Sequence, residues 1–267
     1  MSKIHPTAVV DSKAELDSDV EVGAYSVIGP DVRIGAGTVI GPHVVVNGPT
    51  TLGRNNRIFQ FASVGEACQD KKYNDEPTVL EMGDDNVIRE CVTIHRGTIQ
   101  DNSITRVGSG NLFMAYVHIA HDCMVGSNCV FANNATIAGH VHVGDGVILG
   151  GFTAVHQFCK IGSFAMTSMY SAINMDVPAF VMAQGYPGRA RGMNVEGMRR
   201  RGYSRDLIRT LRDAYRVVYR QGNTLEEAIE RLQDGVPTCA ELGLFVDSLK
   251  SSERGIVRER RKGADDD

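Results

Sequence analysis

Apolar residues recur at every sixth position along most of the first 161 residues. The series runs without a gap from Ile4 to Val64 and again from Val107 to Ile161. Between these runs it returns at Met82, Ile88 and Ile94. A period of six fits neither an amphipathic helix nor a simple hairpin, and it is typical of a solenoid built from short strands and tight turns.

The repeat predicts the geometry of this solenoid. Three hexads close a triangular coil of eighteen residues, and consecutive coils stack as parallel strands about 4.8 Å apart. The residue after the apolar position is often glycine, as at Gly23, Gly35 and Gly144. We expect these glycines to adopt turn conformations that other residues resist. The predicted fold class is therefore mainly β, a parallel β-helix of hexapeptide repeats.

Four of the six cysteines lie four positions after the apolar residue, where small or β-branched side chains predominate. They are Cys68, Cys123, Cys129 and Cys159. Because free cysteine is commonly buried as a small hydrophobic residue, we expect these thiols to fill the interior. The spacing supports no disulfide framework.

The repeat is interrupted twice, and both interruptions predict loops that leave the solenoid. Asp70 and Glu76 stand where apolar residues are expected, within the polar segment EACQDKKYNDEP. The second interruption adds one residue and contains QDNS. We predict loops near residues 66–78 and 98–106, which are favoured places for function on a rigid scaffold.

The pattern changes to a helical period from about residue 204. Ser204 is a suitable N-cap for an amphipathic helix, and Thr224 with Glu227 forms a capping-box pattern that opens a second helix. A third short helix is predicted from Ala240 to Leu249. The region as a whole is therefore predicted to be helical.

The predicted organisation has three parts: a β-helix domain over 1–187, a small α-helical C-terminal domain over 188–258 and a disordered tail over 259–267. The formal net charge of −4 argues against non-specific binding to nucleic acid. No long apolar run indicates stable membrane insertion. No signal-peptide core precedes the first hexad at Ile4, which favours a cytoplasmic location.

Most of the candidate chemistry lies on successive coils of the predicted solenoid. Adding eighteen to a residue number moves one coil along the same edge, so that His121, Gly139 and Gln157 form one column. Asp122 precedes His140 in the adjacent column. We predict that five residues on these neighbouring coils form a single polar patch. Its residues are His121, Gly139, His140, His156 and Gln157.

A histidine beside a carboxylate is a common general-base unit, because the carboxylate favours one tautomer and stabilises the imidazolium. We assign these roles to His121 and Asp122, with a backbone carbonyl as the alternative partner of the ring. Gly139 is suited to donate a bare backbone N–H to an oxyanion, as acyl transfer requires. No serine or cysteine lies in a nucleophile motif, which favours direct transfer over a covalent intermediate.

Two other interpretations of the patch stay open at this point. The histidines are ordinary turn residues on a solenoid edge, or three imidazoles bind zinc together with a water molecule. The histidine spacings match no zinc signature. The prediction is therefore a site without a metal or a cofactor.

Five segments resemble the UDP-N-acetylglucosamine 3-O-acyltransferase family, and the likeness extends from about Ile4 to Arg258. The segments are VTIHRGT from Val92, HIAHDC from His118, NNATIAGHV from Asn133, AVHQFC from Ala154 and NVEGMRRRGYSRD from Asn194. The wider group of hexapeptide-repeat proteins shares the period of six but not these segments. The resemblance implies that the β-helix is left-handed, against the usual preference for right-handed crossovers.

The resemblance also implies an activity. The enzyme would transfer an (R)-3-hydroxyacyl chain from acyl carrier protein to the glucosamine 3-hydroxyl of UDP-N-acetylglucosamine, the first step of lipid A biosynthesis. It would act as a homotrimer with active sites between neighbouring subunits. Threefold symmetry is natural for a three-sided prism.

The resemblance assigns roles to individual residues of this chain. His121 corresponds to the general base that takes the proton from the sugar hydroxyl, and Gly139 to the backbone donor that faces the thioester oxygen. The positions implied to bind substrate are Asp70, Lys72, His118, His140, His156, Gln157, Asn194, Glu196, Arg200 and Arg201. Arginine suits a diphosphate, and asparagine or glutamate suits a uracil or ribose edge. A solvated Lys72 and, for Arg199 to Arg201, a merely charged approach to the helix that follows are the alternatives.

Met169 corresponds to the position that closes the acyl groove in this family, where several relatives carry glycine. Because methionine fills space that glycine leaves open, we predict a shorter, decanoyl-like chain. A reshaped groove of unchanged length is the alternative.

The predicted helix after Ser204 carries an arginine stripe at three- or four-residue spacing. Its members are Arg205, Arg209, Arg212 and Arg216. The stripe is either a docking surface for the acidic acyl carrier protein or a solvated helix face.

Three other functions stay open for the whole chain. The related N-acyltransferase of the same pathway normally carries an additional N-terminal domain, whereas the hexads here begin at Ile4. A hexapeptide-repeat zinc carbonic anhydrase would need a metal at the histidine patch. A purely structural scaffold would not need the histidine-rich edge.

Overall fold

The computed structural model describes residues 3–74 and 76–258, and the predicted tail, 259–267, lies outside the described residues. Over these residues the chain forms short strands followed by α-helices and a 3₁₀ turn at Val236–Thr238. The strands are β1 Lys3–Ile4, β2 Val9–Val10, β3 Glu15–Leu16, β4 Glu21–Val22, β5 Val27–Ile28, β6 Val32–Ile34, β7 Val39–Ile40, β8 Val45–Val46, β9 Thr50–Leu52, β10 Arg57–Ile58, β11 Ser63–Glu66, β12 Val79–Met82, β13 Val87–Ile88, β14 Thr93–His95, β15 Ile104–Val107, β16 Leu112–Phe113, β17 His118–Ile119, β18 Met124–Val125, β19 Val130–Phe131, β20 Thr136–Ile137, β21 His142–Val143, β22 Ile148–Leu149, β23 Ala154–Val155, β24 Lys160–Ile161, β25 Met166–Thr167, β26 Ala172–Ile173, β27 Val181–Gln184 and β28 Arg189–Met193. The helices are α1 Val195–Arg200, α2 Arg205–Tyr219, α3 Leu225–Gln233 and α4 Ala240–Lys250.

The strands form three sheets, because the strands from β1 to β26 pair with one another at intervals of three places along the chain. Sheet A begins with β1, sheet B with β2 and sheet C with β3. Paired residues are eighteen positions apart, as for Ile4 and Val22, and the strands are parallel. Three hexads therefore close one coil, as the repeat predicts.

Two loops leave the solenoid where the repeat is interrupted. The first loop, residues 67–78, lies between β11 and β12, and the second loop, residues 96–103, lies between β14 and β15. Across the first loop Ile58 pairs with Ile88 instead of a residue eighteen positions on. The chain then returns to the same three sheets, so the loops are additions to a continuous scaffold.

The apolar hexad positions form a buried column inside the three sheets. Ile28, Ile58 and Ile94 are fully or almost fully buried, whereas Ile4 is 42% exposed because it belongs to the first coil of the stack. Cys123, Cys129 and Cys159 are also inside, as predicted. Cys68 is buried too, but in the first loop rather than on a coil.

The conformational prediction for the glycines after the apolar positions is wrong. Positive φ occurs two residues later and mostly at other residue types, as at Tyr25 with a φ of 58°. Gly23 instead permits close stacking, because a Cβ on it would lie 2.6 Å from the carbonyl carbon of Gly41 in the next coil. This glycine pattern therefore reports contact between coils, not turn conformation.

The C-terminal region closes the end of the solenoid. Strand β27 continues sheet A, and β28 runs back antiparallel to it. The predicted caps are confirmed: Ser204 accepts a hydrogen bond from the N–H of Leu207, and Thr224 and Glu227 form a capping box. Helix α4 matches the predicted third helix, whereas α1 was not predicted. The boundary between residues 187 and 188 stays a prediction.

The described residues contain no helix that is both long and apolar enough to cross a lipid bilayer.

Candidate active site

Three corners join the sheets, and the predicted site residues are distributed over them. At the B–C corner each coil passes from sheet B to sheet C, through the turns that follow β17, β20 and β23. The C–A and A–B corners are defined in the same way. One flat side spans roughly 15–20 Å, since a strand rises about 3.3 Å per residue. Residues on different corners of one chain therefore do not share a site.

The B–C corner carries the predicted column of His121 and Gly139. The N–H of His140 donates to the carbonyl oxygen of His121 at 3.1 Å, which fixes the two coils in register. The His121 ring lies against the Cα of Gly139, where a Cβ would be 2.6 Å from its Nε2. Among the described residues the Gly139 N–H makes no hydrogen bond, so it is available as a donor.

Asp122 is the partner of the His121 ring. Its Oδ2 lies 2.8 Å from Nδ1 of His121, and its side chain is completely buried. Burial opposes its ionisation, but hydrogen bonds from His121 and Thr98 outweigh that effect and hold the pKa of the carboxyl below its ordinary value. The carboxylate therefore stays charged, and Nε2 of His121 is left free to accept a proton. The alternative partner, a backbone carbonyl, is not used.

His140 lies one coil beyond Asp122 at the same corner position, and both residues have a positive φ. This conformation is rare for most residues but is enriched in aspartate and histidine. The His140 ring stacks on Phe158 with centroids 4.4 Å apart and meets the His121 ring edge-on at 5.0 Å. Its Nδ1 lies 2.9 Å from Oδ2 of Asp101 in the second loop. His140 is therefore held firmly beside His121.

His118 lies on sheet B just before the corner, and its Nδ1 is 2.7 Å from Oγ1 of Thr93. Burial lowers the pKa of His118, and the nearby His121 lowers it further. The ring meets His95 edge-on at 4.9 Å. Burial also lowers the pKa of His95, to about 4, with a further contribution from His118. This group of imidazoles is therefore largely neutral.

The first loop lies beside this corner. Burial raises the pKa of Cys68, and the nearby negative charges of Asp70 and Asp122 raise it further. Asp70 lies close to Cys68, because its N–H donates a hydrogen bond to Sγ of Cys68. Its Oδ1 accepts a hydrogen bond from the N–H of Lys72. The Lys72 side chain is exposed. The structure therefore brings these two predicted residues toward the corner on a loop.

His156 and Gln157 continue the B–C corner on the next coil, where both are exposed. The N–H of Phe158 donates to the carbonyl oxygen of Gly139, which aligns this coil with the one before. A cavity of about 430 Å³ opens beside it. Its lining includes Asp101, His140, Phe158 and Lys160.

The residues predicted for the nucleotide lie on the C–A corner of the chain. Asn194 caps α1 by accepting from the N–H of Gly197, and it donates to the carbonyl oxygen of Phe164. Arg201 donates to the carbonyl oxygen of Gly146 at 2.9 Å. Both side chains thus attach the helical region to the solenoid, whereas Glu196 and Arg200 form an exposed ion pair.

Met169 lies on the third corner, A–B, and its side chain is 61% exposed. The structure therefore does not bring Met169 or the C–A residues to His121 within one chain. The predicted arginine stripe lies exposed on α2, and Arg216 pairs with Asp213.

Among the described residues, His121, Asp122 and His140 offer ligand atoms within 4.8 Å of one another. Those atoms already have partners, since Oδ2 of Asp122 accepts from Oγ1 of Thr98 and faces Nδ1 of His121. A cation at this point would have to replace the Nδ1 proton that joins His121 to Asp122. These three side chains therefore fit a hydrogen-bonded network better than a metal centre.

Sequence reasoning missed three residues of this network: His95, Thr98 and Asp101. His95 stands in the VTIHRGT segment, which the family resemblance marks without assigning it a role. Thr98 is the last residue of the same segment, and it lies with Asp101 on the second loop, where no repeat register exists to relate either residue to the corner. For Asp101 the interruption of the repeat was the only available signal.

The chain resembles known proteins over most of its length. Residues 176–257 match the profile described as UDP-N-acetylglucosamine O-acyltransferase, domain 2, and residues 13–48 and 104–139 match the bacterial transferase hexapeptide profile. The acyl-[acyl-carrier-protein]–UDP-N-acetylglucosamine O-acyltransferase of Stutzerimonas stutzeri is 56% identical over 258 residues, covering 97% of this chain and 100% of that protein. The protein of the same name from Herminiimonas arsenicoxydans is 58% identical over 265 residues, with the same shares.

Solved structures show the same relationship. The structure of LpxA from Acinetobacter baumannii is 54% identical, with a TM-score of 0.93 over 96% of this chain and 99% of that one. The predicted fold class, a left-handed parallel β-helix followed by a small helical region, is thereby confirmed. Because these likenesses span almost the whole length at more than half identity, the chain belongs to the family of acyl-[acyl-carrier-protein]–UDP-N-acetylglucosamine O-acyltransferases.

Proposed function

We propose that this chain transfers an (R)-3-hydroxyacyl group from acyl carrier protein to the 3-hydroxyl of UDP-N-acetylglucosamine, the first step of lipid A biosynthesis. One observation carries the proposal: the His121–Asp122 pair lies beside a backbone N–H of Gly139 that has no partner among the described residues. The relatives' names state the same two substrates.

The reaction follows from these three groups. Nε2 of His121 takes the proton from the sugar 3-hydroxyl as its oxygen attacks the thioester carbonyl carbon. The carbonyl oxygen becomes an oxyanion, which the Gly139 N–H stabilises. The C–S bond then breaks, and the leaving thiolate recovers the proton from His121. Asp122 stabilises the imidazolium between these steps.

The cysteines near the site support direct transfer rather than an acyl-enzyme. A thiol acts as a nucleophile only in its thiolate form. Burial raises the pKa of Cys68, and it raises that of Cys123 to about 12. Both therefore stay protonated at neutral pH.

Asp70 and Lys72 are assigned to the sugar nucleotide, and His118, His140, His156 and Gln157 to the walls of the substrate cleft. Asn194, Glu196, Arg200 and Arg201 are assigned to its nucleotide end. The exposed Arg200 is the member best placed to form two hydrogen bonds with a diphosphate.

A homotrimer would bring these residues into one cleft, although they lie on three different corners of each chain. Within one chain the C–A residues and Met169 lie on other corners than His121. A neighbouring copy, related by a threefold axis, supplies those corners to the same cleft. The site is therefore proposed to be complete only between subunits.

Mixing two inactive variants tests this arrangement. Trimers that contain both His121→Ala and Arg200→Ala chains would hold some clefts with both native residues, so activity returns on co-expression. If each site were built from one chain, every site would keep a defect and no activity would return.

Met169 is proposed to shorten the acyl groove, which gives a decanoyl-like preference. The cytoplasmic location stays a prediction.

Mass spectrometry tests the function directly. The protein is supplied with UDP-N-acetylglucosamine and a mixed pool of 3-hydroxyacyl carrier proteins. We expect a 3-O-acylated product enriched in the shorter chains. Absence of any acylated sugar nucleotide would refute the proposed reaction, and a tetradecanoyl preference would refute the shorter groove.

A further inference from the structure

The second loop contacts both histidine units of the B–C corner. Its Thr98 donates from N–H to Oδ1 of Asp122 at 2.9 Å and from Oγ1 to Oδ2 at 2.7 Å. Its Asp101 accepts at Oδ2 from Nδ1 of His140 at 2.9 Å. Resting on the function proposed above, we propose that Thr98 and Asp101 are positioning residues for acyl transfer, acting through Asp122 and His140.

Thr98 fixes the carboxylate that orients the base. Asp122 is fully buried, and leaving a buried charge without donors costs free energy. Two donors of Thr98 and Nδ1 of His121 occupy its oxygens. Thr98 is itself buried at 4% exposure, so its hydroxyl has little freedom to turn away. Without that hydroxyl the carboxylate loses one of the donors that fix its rotation, and the His121 ring is held less firmly.

Asp101 fixes the His140 ring in one orientation. A carboxylate oxygen only accepts, so the Nδ1 of His140 carries the proton and Nε2 is the nitrogen left for other contacts. Nε2 lies 4.0 Å from Oδ2 of Asp122 and therefore points toward the reacting region. Phe158 stacks on one face of the ring at an angle of 8°. Asn102 donates to the other oxygen of Asp101 at 2.8 Å, which fixes the carboxylate in turn.

The base of the second loop is narrow and tied to the neighbouring coil. A Cβ on Gly97 would lie 2.2 Å from the backbone nitrogen of Ile104, so the two ends of the loop are in contact. The N–H of Gly97 donates to the carbonyl oxygen of Val79, and the N–H of Val79 donates to that of Ser103. The loop is thus a fixed support, as a precise site requires.

The test measures kcat and KM of the full-length enzyme for UDP-N-acetylglucosamine. Thr98→Val keeps the shape and removes the hydroxyl, whereas Thr98→Ser keeps the hydroxyl. We expect Thr98→Val to lower kcat between about 10- and 100-fold, with KM within about twofold, since small misplacements of reacting groups cost rate. Thr98→Ser should recover most of the loss.

Asp101→Ala should lower kcat about tenfold, and Asp101→Asn, which keeps an acceptor oxygen, should lose less. Ile99→Ala is the matched control, because Ile99 lies on the same loop with its side chain 57% exposed. It should turn over like the wild type. An unchanged affinity for the sugar nucleotide, measured by calorimetry, would show that each variant is folded.

Three results would overturn the proposal: Thr98→Val and Asp101→Ala with wild-type kcat, a loss confined to KM, or an equal loss in Ile99→Ala. Failure of the proposed function itself is distinct, because the wild type would then form no product.

Discussion

The imidazole of His121 rests on the Cα of Gly139, although the two residues are eighteen positions apart in sequence. A Cβ on Gly139 would lie 2.5 Å from Cε1 and 2.6 Å from Nε2 of the ring. The proposed base and the proposed oxyanion donor are therefore adjacent because two coils stack at one corner. The coil repeat places them there, not proximity along the chain.

Gly139→Ala should displace the base. The added methyl group cannot fit beside the ring, so His121 must turn away from its productive position, and we expect kcat to fall about 100-fold. Steady-state kinetics measures this loss. Gly151→Ala is the matched control, because its Cβ would meet nothing nearer than the carbonyl oxygen of Asn133 at 3.4 Å. Equal kcat values for the two variants would contradict the assigned contact.

Asp122→Asn should lower kcat between about 10²- and 10⁴-fold, because an amide neither holds the required tautomer nor stabilises the imidazolium. The KM for the sugar nucleotide should change little. Asp145→Asn removes a carboxylate that caps a backbone N–H elsewhere on the solenoid, and it should remain active. A mild loss in Asp122→Asn would show that His121 works without this partner.

His95 should make the folded state sensitive to mild acid. Burial lowers its pKa to about 4, whereas an unfolded histidine titrates near pH 6.5. Between these values only the unfolded chain binds the proton. The free energy of unfolding should therefore fall as the pH drops from about 6.5 to about 4, by up to about 3 kcal/mol from this residue.

Urea unfolding at several pH values tests this prediction. His95→Gln should reduce the slope of stability against pH by up to about 1.4 kcal/mol per unit. Ile94→Val, a packing change on the same strand, should lower stability equally at every pH. Parallel curves for wild type and His95→Gln would show that His95 binds its proton equally in both states.

Met169→Gly should move the preferred donor toward longer 3-hydroxyacyl chains, because it removes the side chain proposed to close the groove. Competition between donors of different length measures the shift. Met114→Gly, a substitution at the same corner several coils away, serves as the control. An unchanged preference in Met169→Gly would leave a reshaped groove of equal length as the explanation.

The period of six predicted the coils, their register and the adjacency of His121 and Gly139, since a repeat relates residues at fixed intervals. It gave the wrong reason for Gly23. Glycine is favoured both where a turn needs a positive φ and where two coils approach closely, and the spacing does not distinguish these two causes. The pairing of Asp122 with His121 was predicted, but the loop partners of Asp122 and His140 could not be. Thr98 and Asp101 lie on a loop outside the repeat, and their contacts depend on how that loop folds back.

The caps of α2 and α3 were predictable because capping depends on neighbouring residues alone. Helix α1 was not, since it is six residues long and its cap, Asn194, also bonds to Phe164 on the solenoid. The C–A position of Asn194 and Arg201 likewise required the folded chain, because both residues lie beyond the repeat.

The role proposed for His121 is that of the general base in a direct acyl transfer. Its most direct test is single-turnover product formation by His121→Ala with both substrates saturating, alongside calorimetry of UDP-N-acetylglucosamine binding. We expect a rate at least about 10²-fold below wild type with nearly unchanged sugar-nucleotide affinity. Near-wild-type turnover in His121→Ala would contradict it.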